Sequence, residues 1–232
     1  MIKRLDLILN GKGGVGKSFF AVNFVQYLKD RNIEYAACDC DNENSTLKRF
    51  HAEVEFFNLE GRRALDPIFK SLDKADLVVV DCRAASTEMF FNYFDEIDLR
   101  TTLQDLSAAL TIIIPVNHET DSVDQLQRLV NKLGDACSYV VLRNEVHDDT
   151  FTVYDQSVIR KRLRKELAAK EITMTKLQPF LVEELSLKNM TITSAIKDGE
   201  LHLLDRHRLQ TWQRKLYAEI ESAAELLLPA KS

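Results

Sequence analysis

The feature that most constrains this chain is a cluster of glycines near its start. Four of the seven glycines lie within residues 11–16, and a lysine and a serine follow directly. The segment fits the pattern Gly-x-x-x-x-Gly-Lys-[Ser/Thr] between an apolar run at 5–9 and a stretch of helical period at 17–30. A glycine-rich turn before a helix directs backbone N–H groups at phosphate oxygens. We therefore predict a phosphate-binding loop made of Gly11, Gly13, Gly14, Val15, Gly16, Lys17 and Ser18.

The same glycines also satisfy the pattern Gly-x-Gly-x-x-Gly of dinucleotide-binding folds. Asp39 follows Gly16 by 23 residues, where such folds place an acid that binds a ribose. Lys17 and Ser18 favour a nucleoside triphosphate instead, because the lysine would neutralise the β- and γ-phosphates and the hydroxyl would bind Mg²⁺. A pyrophosphate held by backbone groups alone needs neither side chain.

Short apolar runs alternate with longer stretches of helical period along the chain. Strands are predicted at 5–9, 35–38, 77–80, 110–116, 139–142 and 173–177, and helices at 17–30, 122–133, 157–170 and 208–227. This alternation is typical of an α/β protein with a mainly parallel sheet and helices on both faces. No repeat or Pro/Gly/Ser-rich linker interrupts the sequence, so we expect a single domain over 1–232.

Composition and charge narrow the class of protein. Hydrophobic residues make up 45% and charged residues 29% of the chain, which are ordinary values for a globular protein. The N-terminus is charged and no apolar run reaches the roughly 18 residues of a membrane span, so we expect a cytoplasmic protein. The four cysteines lack Cys-x-x-Cys spacing, which favours buried thiols over metal ligands or disulfides.

Three aspartates come at the ends of predicted strands. Asp39 and Asp41 follow the second strand, and residues two apart on an extended segment point to the same side, so both carboxylates are expected to face the phosphates. Asp81 ends the apolar run 77–80, where a carboxylate can hold a Mg²⁺-bound water. The alternative for Asp39 and Asp41 is a turn whose acids cap a helix.

Lys12 lies inside the glycine-rich loop, although Lys17 already serves the phosphates. Residues 12–18 read Lys-Gly-Gly-Val-Gly-Lys-Ser and resemble the deviant loop Lys-Gly-Gly-x-Gly-Lys-[Ser/Thr] of the ParA/MinD family of P-loop ATPases. The resemblance implies the three-layer αβα fold of P-loop NTPases, ATP and Mg²⁺ as ligands, and a Lys12 that crosses a dimer interface to the partner's nucleotide. A cation that arrives only in the dimer would stabilise charge on the transferred phosphoryl group. A solvated loop lysine is the alternative.

The resemblance also implies roles for residues that follow other strands. Asp41 matches the aspartate that orients the attacking water, and Asp39 and Asp81 would act with Ser18 around Mg²⁺. Asn144 matches an asparagine that hydrogen-bonds adenine, and the lack of an Asn-Lys-x-Asp signature favours ATP over GTP. Arg83 stands where the family has small residues and proline, and it is expected to contact a phosphate, a partner or solvent only.

The predicted helix at 157–170 is strongly basic. Residues 157–217 carry 13 basic and 7 acidic side chains, a net charge of +6, whereas the whole chain carries −5. A cationic face of this kind can bind DNA phosphates without reading bases, and the resemblance implies nonspecific DNA binding by ATP-bound dimers. A solvated helix face is the alternative. The candidate DNA-binding residues are Arg160, Lys161, Arg162, Arg164 and Lys165.

Two other segments have an unusual composition. The stretch 208–227 interleaves apolar residues with Glu219, Glu221 and Glu225, which disfavour an anionic membrane, so we expect it to pack on the sheet rather than to tether the chain. The aromatic segment 88–94 is expected to form a buried helix face, with partner docking or dimer contact as the alternative.

Together these features favour an ATP-dependent dimerising switch of the ParA/MinD type that hydrolyses ATP with Mg²⁺. The resemblance implies a homodimer on ATP binding, a partner or adaptor protein that stimulates hydrolysis, and a task in plasmid or mobile-element DNA partition or transfer, with nucleoid association if DNA is bound. Two alternatives stay open. One is a metabolic P-loop enzyme such as a dethiobiotin synthetase-like ligase, and the other is a protein-positioning ATPase that does not bind DNA.

Overall fold

Seven parallel strands form one sheet in the computed structural model, which describes residues 2–42, 44–147 and 149–230. The strand order is β3-β2-β4-β1-β5-β6-β7. The strands are β1 (Lys3–Ile8), β2 (Ala36–Asp39), β3 (Glu55–Phe56), β4 (Leu77–Asp81), β5 (Ala108–Val116), β6 (Ser138–Asn144) and β7 (Lys170–Met174).

Helices connect the strands and cover both faces of the sheet. In the first half of the chain they are α1 (Lys17–Asp30), α2 (Thr46–Phe50), α3 (Asp66–Lys70), α4 (Thr87–Glu96) and α5 (Leu99–Asp105). In the second half they are α6 (Thr120–Leu133), α7 (Thr152–Gln156), α8 (Val158–Lys165), α9 (Pro179–Lys188), α10 (Ile192–Lys197), α11 (Leu203–Ser222) and α12 (Ala224–Leu227).

The sheet separates two hydrophobic cores because its strands alternate their side chains. In β4, Val78 and Val80 belong to the core that includes residues of α3, α4, α5, α6 and α8, whereas Leu77 and Val79 belong to the core that includes residues of α1, α9, α10 and α11. Strands that are buried on both faces have continuous apolar sequences, and the apolar run at 77–80 therefore predicted a central strand. The predicted α/β fold with a parallel sheet and helices on both faces is therefore confirmed.

Three predicted elements have a boundary that is wrong by more than two residues. The helix predicted at 157–170 ends at Lys165, and the strand predicted at 173–177 begins earlier, so that Lys170 belongs to β7. β7 is an edge strand, where charged side chains are common, and its start therefore does not look like a buried strand. The helix predicted at 208–227 begins at Leu203, after His202 caps it, and is interrupted at Ala223.

The segments without a clear pattern fold into short elements around the core. Residues 42–74 contain α2, β3 and α3, and residues 83–107 contain α4 and α5. Phe90, Phe91 and Phe94 of α4 are buried, as expected for the aromatic segment. The long helix α11 packs against β7, and its Trp212 side chain donates a hydrogen bond to the Thr175 carbonyl at 2.6 Å. Within the described residues, no helix has the length and apolarity that crossing a bilayer requires.

Candidate phosphate-binding site

A cavity of about 690 Å³ opens at the carboxyl ends of β1, β2 and β4. This is the edge at which parallel α/β sheets bind ligands. The walls come from the glycine-rich loop, the segment after β2 and the segment after β4. The lining residues are Gly13, Gly14, Gly16, Lys17, Ser18, Asp41, Asn44, Thr46, Arg83, Ala84 and Ala85.

Gly16 occupies the tightest position of the loop. Its φ of +95° lies in the region that favours glycine, and a Cβ there would lie 2.3 Å from Nδ2 of Asn144. The Asn144 amide donates a hydrogen bond to the Val15 carbonyl at 2.9 Å. Asn144 therefore ties β6 to the loop in this structure, and its contact with adenine stays a prediction.

The other end of the loop packs against α4 and α6. A Cβ on Gly11 would lie 2.4 Å from Oε1 of Gln125, so a larger residue here would displace the end of the Gln125 side chain. The Ala85 N–H donates to the Gly11 carbonyl at 3.0 Å and joins the segment after β4 to the loop. Asn10 was missed by sequence reasoning. It accepts from the Lys12 N–H at 2.9 Å and donates to the Pro115 carbonyl at 2.8 Å, contacts that no local pattern indicates.

Lys17 is placed as the sequence predicted, at the start of α1 and inside the cavity. Its side chain is only 7% exposed, and its ammonium donates to the Lys12 carbonyl at 2.9 Å. Burial lowers the pKa of Lys17, and the nearby Asp81 and Asp41 carboxylates oppose this shift. A buried ammonium that is bonded to a neutral carbonyl is well suited to an anionic ligand.

Asp81 carries the strongest indication of a cation site. The side chain is 1% exposed, and neither of its carboxylate oxygens has a hydrogen-bond partner of good geometry within the part of the chain that the structure describes. Burial raises the pKa of Asp81 to about 7, although Ser18 and Lys17 partly offset the rise. A buried carboxylate without a partner is costly unless a cation joins it. Ser18 and Asp81 therefore fit Mg²⁺, which prefers oxygen ligands and keeps most of its waters.

Asp39 and Asp41 have different surroundings, and the expectation that both carboxylates face the phosphates stays a prediction. Asp39 is fully buried, and its two oxygens accept the N–H groups of Asp41 and Lys48, each at 3.0 Å. Burial raises its pKa, and these hydrogen bonds oppose the rise. Asp39 thus holds the segment after β2 and the start of α2, whereas Asp41 lines the cavity. Participation of Asp39 in a Mg²⁺ shell through water stays a prediction.

Lys12 is held by acids of its own chain. Its ammonium lies 2.9 Å from Glu119 and 3.1 Å from Asp121, at the start of α6. These ion pairs raise the pKa of Lys12 and lower that of Glu119. Lys12 does not line the cavity, and its ammonium lies beside these acids, whereas its carbonyl accepts from Lys17. The acids lie more than a hundred residues from Lys12, and the sequence offered no signal for this contact.

The candidate DNA-binding residues on α8 divide into two groups. Arg160 is 21% exposed and forms ion pairs at 2.8 Å with Glu171 and 2.9 Å with Asp155. Arg162 donates to Asn131 at 3.0 Å and lies 3.6 Å from Glu166. Lys161, Arg164 and Lys165 are exposed, and no ion pair with another described residue is recorded for them. The cationic face is therefore narrower than the sequence suggested.

The fold and the loop define a P-loop nucleotide-binding protein. The family model described as "CobQ/CobB/MinD/ParA nucleotide binding domain" matches residues 7–184. The chain belongs to this family, and the resemblance to ParA/MinD proteins noted in the sequence is confirmed.

Several proteins resemble the chain over nearly its whole length. "Protein MobD" of Acidithiobacillus ferrooxidans is 26% identical over 226 residues, covering 95% of this chain and 98% of that protein. "Protein TraL" of Escherichia coli is 25% identical over 242 residues, covering 96% and 99%.

Among solved structures, the MinD cell division protein of Aquifex aeolicus has a TM-score of 0.56 at 14% identity, with coverage of 99% and 100%. MinD of Pyrococcus horikoshii OT3, in complex with Mg-ADP, has a TM-score of 0.52 at 16% identity, with the same coverage. At these identities the likeness shows the fold alone.

Proposed function

We propose that this chain is an ATP-dependent, dimerising molecular switch of the ParA/MinD type that hydrolyses ATP with Mg²⁺. We further propose that it acts in plasmid or mobile-element DNA partition or transfer. Membership of a nucleotide-binding family supports the nucleotide, and the complete Lys12–Ser18 motif supports ATPase activity in a dimer.

The observation that carries the proposal is the separation of the two loop lysines. Lys17 lies in the cavity, whereas the Lys12 ammonium lies outside it, beside α6. A cation outside its own cavity is available to a second molecule, which is what catalysis in trans requires. This position favours the switch over an enzyme that completes its active site within one chain.

Each cavity residue then has a chemical task. Lys17 and the loop N–H groups bind the β- and γ-phosphates, while Ser18 and Asp81 hold the metal. Bound Mg²⁺ would supply positive charge to the phosphate oxygens. Asp41 accepts a hydrogen bond from the attacking water and orients it, and Lys12 of the second protomer stabilises the charge on the transferred group.

Turnover measured against protein concentration tests the switch. We expect the rate per chain to rise with concentration, and Lys12→Ala to lower the maximum by about 100-fold while the ATP affinity changes less than about threefold. Lys29→Ala, which removes an exposed lysine of α1, is the control. A rate per chain that is the same at all concentrations would refute catalysis in trans.

Added components distinguish the proposed task from the two alternatives. Stimulation of turnover by DNA, or by a partner or adaptor protein together with DNA, supports partition or transfer. Binding of ATP-loaded dimers to DNA that weakens steeply with salt is expected for contacts through phosphates. Turnover that requires a small metabolite would favour a ligase. Stimulation by a protein partner without any DNA binding would favour a protein-positioning ATPase.

A further inference from the structure

Arg83 lines the phosphate cavity but does not belong to the glycine-rich loop motif. It follows Asp81 and Cys82 at the end of β4 and lines the cavity beside Ala84 and Ala85. The sequence left three roles open for it, a phosphate contact, a partner contact or solvation.

The segment that carries Arg83 is attached to the glycine-rich loop. The Ala85 N–H donates to the Gly11 carbonyl at 3.0 Å, and a Cβ on Gly13 would lie 3.9 Å from the Ala84 Cβ. The Ser86 hydroxyl donates to the Arg83 carbonyl at 2.8 Å and closes the turn before α4. These contacts fix the backbone of Arg83 at the edge of the cavity, so little ordering is required when an anion binds.

The guanidinium of Arg83 differs from the Lys12 ammonium in its surroundings. Arg83 is half-buried, and the structure records no hydrogen bond or ion pair from its guanidinium to any other residue of the described ranges. Lys12, by contrast, is paired with Glu119 and Asp121. A half-buried guanidinium in a cavity gains most from an anion that offers two oxygens, as a phosphate does.

We infer that Arg83 binds the terminal phosphate of the nucleotide held by its own chain. This inference rests on the proposed binding of ATP. The N–H groups at the start of α1 and the Lys17 ammonium serve the phosphates nearest the loop. Arg83 lines the same cavity from the segment after β4, and Asp41 and Thr46 line it from the chain after β2, so a terminal phosphate that extends beyond the glycine-rich loop would meet the Arg83 guanidinium. Arg83 would therefore act as a catalytic arginine in cis, complementing Lys12 in trans.

The test compares the affinities for Mg-ADP and for Mg²⁺ with a non-hydrolysable ATP analogue, measured calorimetrically on the full chain. We expect Arg83→Ala to weaken binding of the analogue about tenfold and binding of ADP less than twofold, with Arg83→Lys restoring part of the loss. Arg62→Ala removes an exposed arginine before α3 and serves as the control. Arg83→Gln keeps the length of the side chain and provides a second variant if the alanine variant unfolds.

Three results would overturn the inference. An unchanged affinity for the analogue would make Arg83 a solvated residue, and an equal loss for ADP and the analogue would show a general effect on the site. A loss that appears only at protein concentrations where dimers form would assign Arg83 to the partner's nucleotide. If the unsubstituted chain binds neither nucleotide, the proposed function itself fails, which the same titration distinguishes from a failure of Arg83 alone.

Discussion

The phosphate cavity and helix α8 are both rich in basic residues, but they hold their charges in different ways. In the cavity, Lys17 is bonded to a neutral carbonyl and Arg83 has no recorded carboxylate partner among the described residues. On α8, Arg160 is already paired with Glu171 and Asp155. A basic residue whose charge is not already paired with a carboxylate has more to gain from an anionic ligand.

Lys12 lies between these two cases. It belongs to the glycine-rich loop, yet its ammonium is paired with Glu119 and Asp121, as Arg160 is with its acids. Asp121 is 76% exposed, and ion pairs at exposed sites are weak and easily exchanged. The Lys12 ammonium can therefore leave these acids and contact the nucleotide of a second molecule. The half-buried ion pairs of Arg160 are held more firmly.

The largest effect is expected at Lys17. Lys17→Ala should weaken ATP binding by about 100-fold, because a charged hydrogen-bond donor inside a cavity is lost. Isothermal titration calorimetry with Mg-ATP measures the change, and Lys29→Ala should bind like the unsubstituted chain. An affinity within threefold of normal would mean that the cavity does not use its buried ammonium for phosphates.

The second prediction concerns the pH dependence of stability. Because burial raises the pKa of Asp81 to about 7, the folded chain binds more protons than the unfolded chain between about pH 4 and pH 7. The stability contributed by the neutral carboxyl is therefore lost as the pH rises through this window. Without nucleotide or Mg²⁺, Asp81→Asn should unfold about 5 °C above the unsubstituted chain at pH 8, and the difference should be smaller at pH 5, where only part of the window has been crossed.

Thermal unfolding at the two pH values measures this difference. Asp76→Asn, which changes an exposed acid just before β4, should leave the midpoint unchanged at both. If the gain of Asp81→Asn were equal at pH 5 and pH 8, ionisation of Asp81 would not be its cause.

The third prediction separates the two groups of cations on α8. Charge reversal of Lys161, Arg164 and Lys165 to Glu should weaken DNA binding by the ATP-bound chain about tenfold and reduce its salt dependence. Arg160→Gln should leave DNA binding within about twofold, because its guanidinium is already paired, and should lower the unfolding temperature. Fluorescence anisotropy over a salt series measures both variants. Equal losses would show that the ion pairs of Arg160 open on DNA.

The smallest effect is expected at Asp121. Asp121→Asn removes one of the two acids that hold Lys12, so the protein concentration at half-maximal turnover should fall about threefold. Asp124→Asn, one turn further along α6, is the matched control because no ion pair with Lys12 is recorded for it. A higher concentration requirement would indicate that Asp121 stabilises the dimer instead.

The local sequence pattern was sufficient to predict the glycine-rich loop and the central strands of the sheet. The loop motif singled out Lys17, Ser18 and Gly16, and all three line the cavity, since they lie in the short stretch between β1 and the start of α1. The same reasoning did not predict the surroundings of Asp39, because its oxygens accept two backbone N–H groups from later residues. It also misplaced β7, whose charged start is stabilised at the sheet edge by contacts with α8.

The sequence by itself determined the alternating α/β architecture, the phosphate loop and the family, because these depend on the order and spacing of neighbouring residues. The tertiary structure alone decided which charges are available to a ligand. Glu171 meets Arg160, and Asp121 meets Lys12, only when separate elements pack together. Whether a cation is paired, buried or exposed depends on such distant contacts, and spacing along the chain does not encode them.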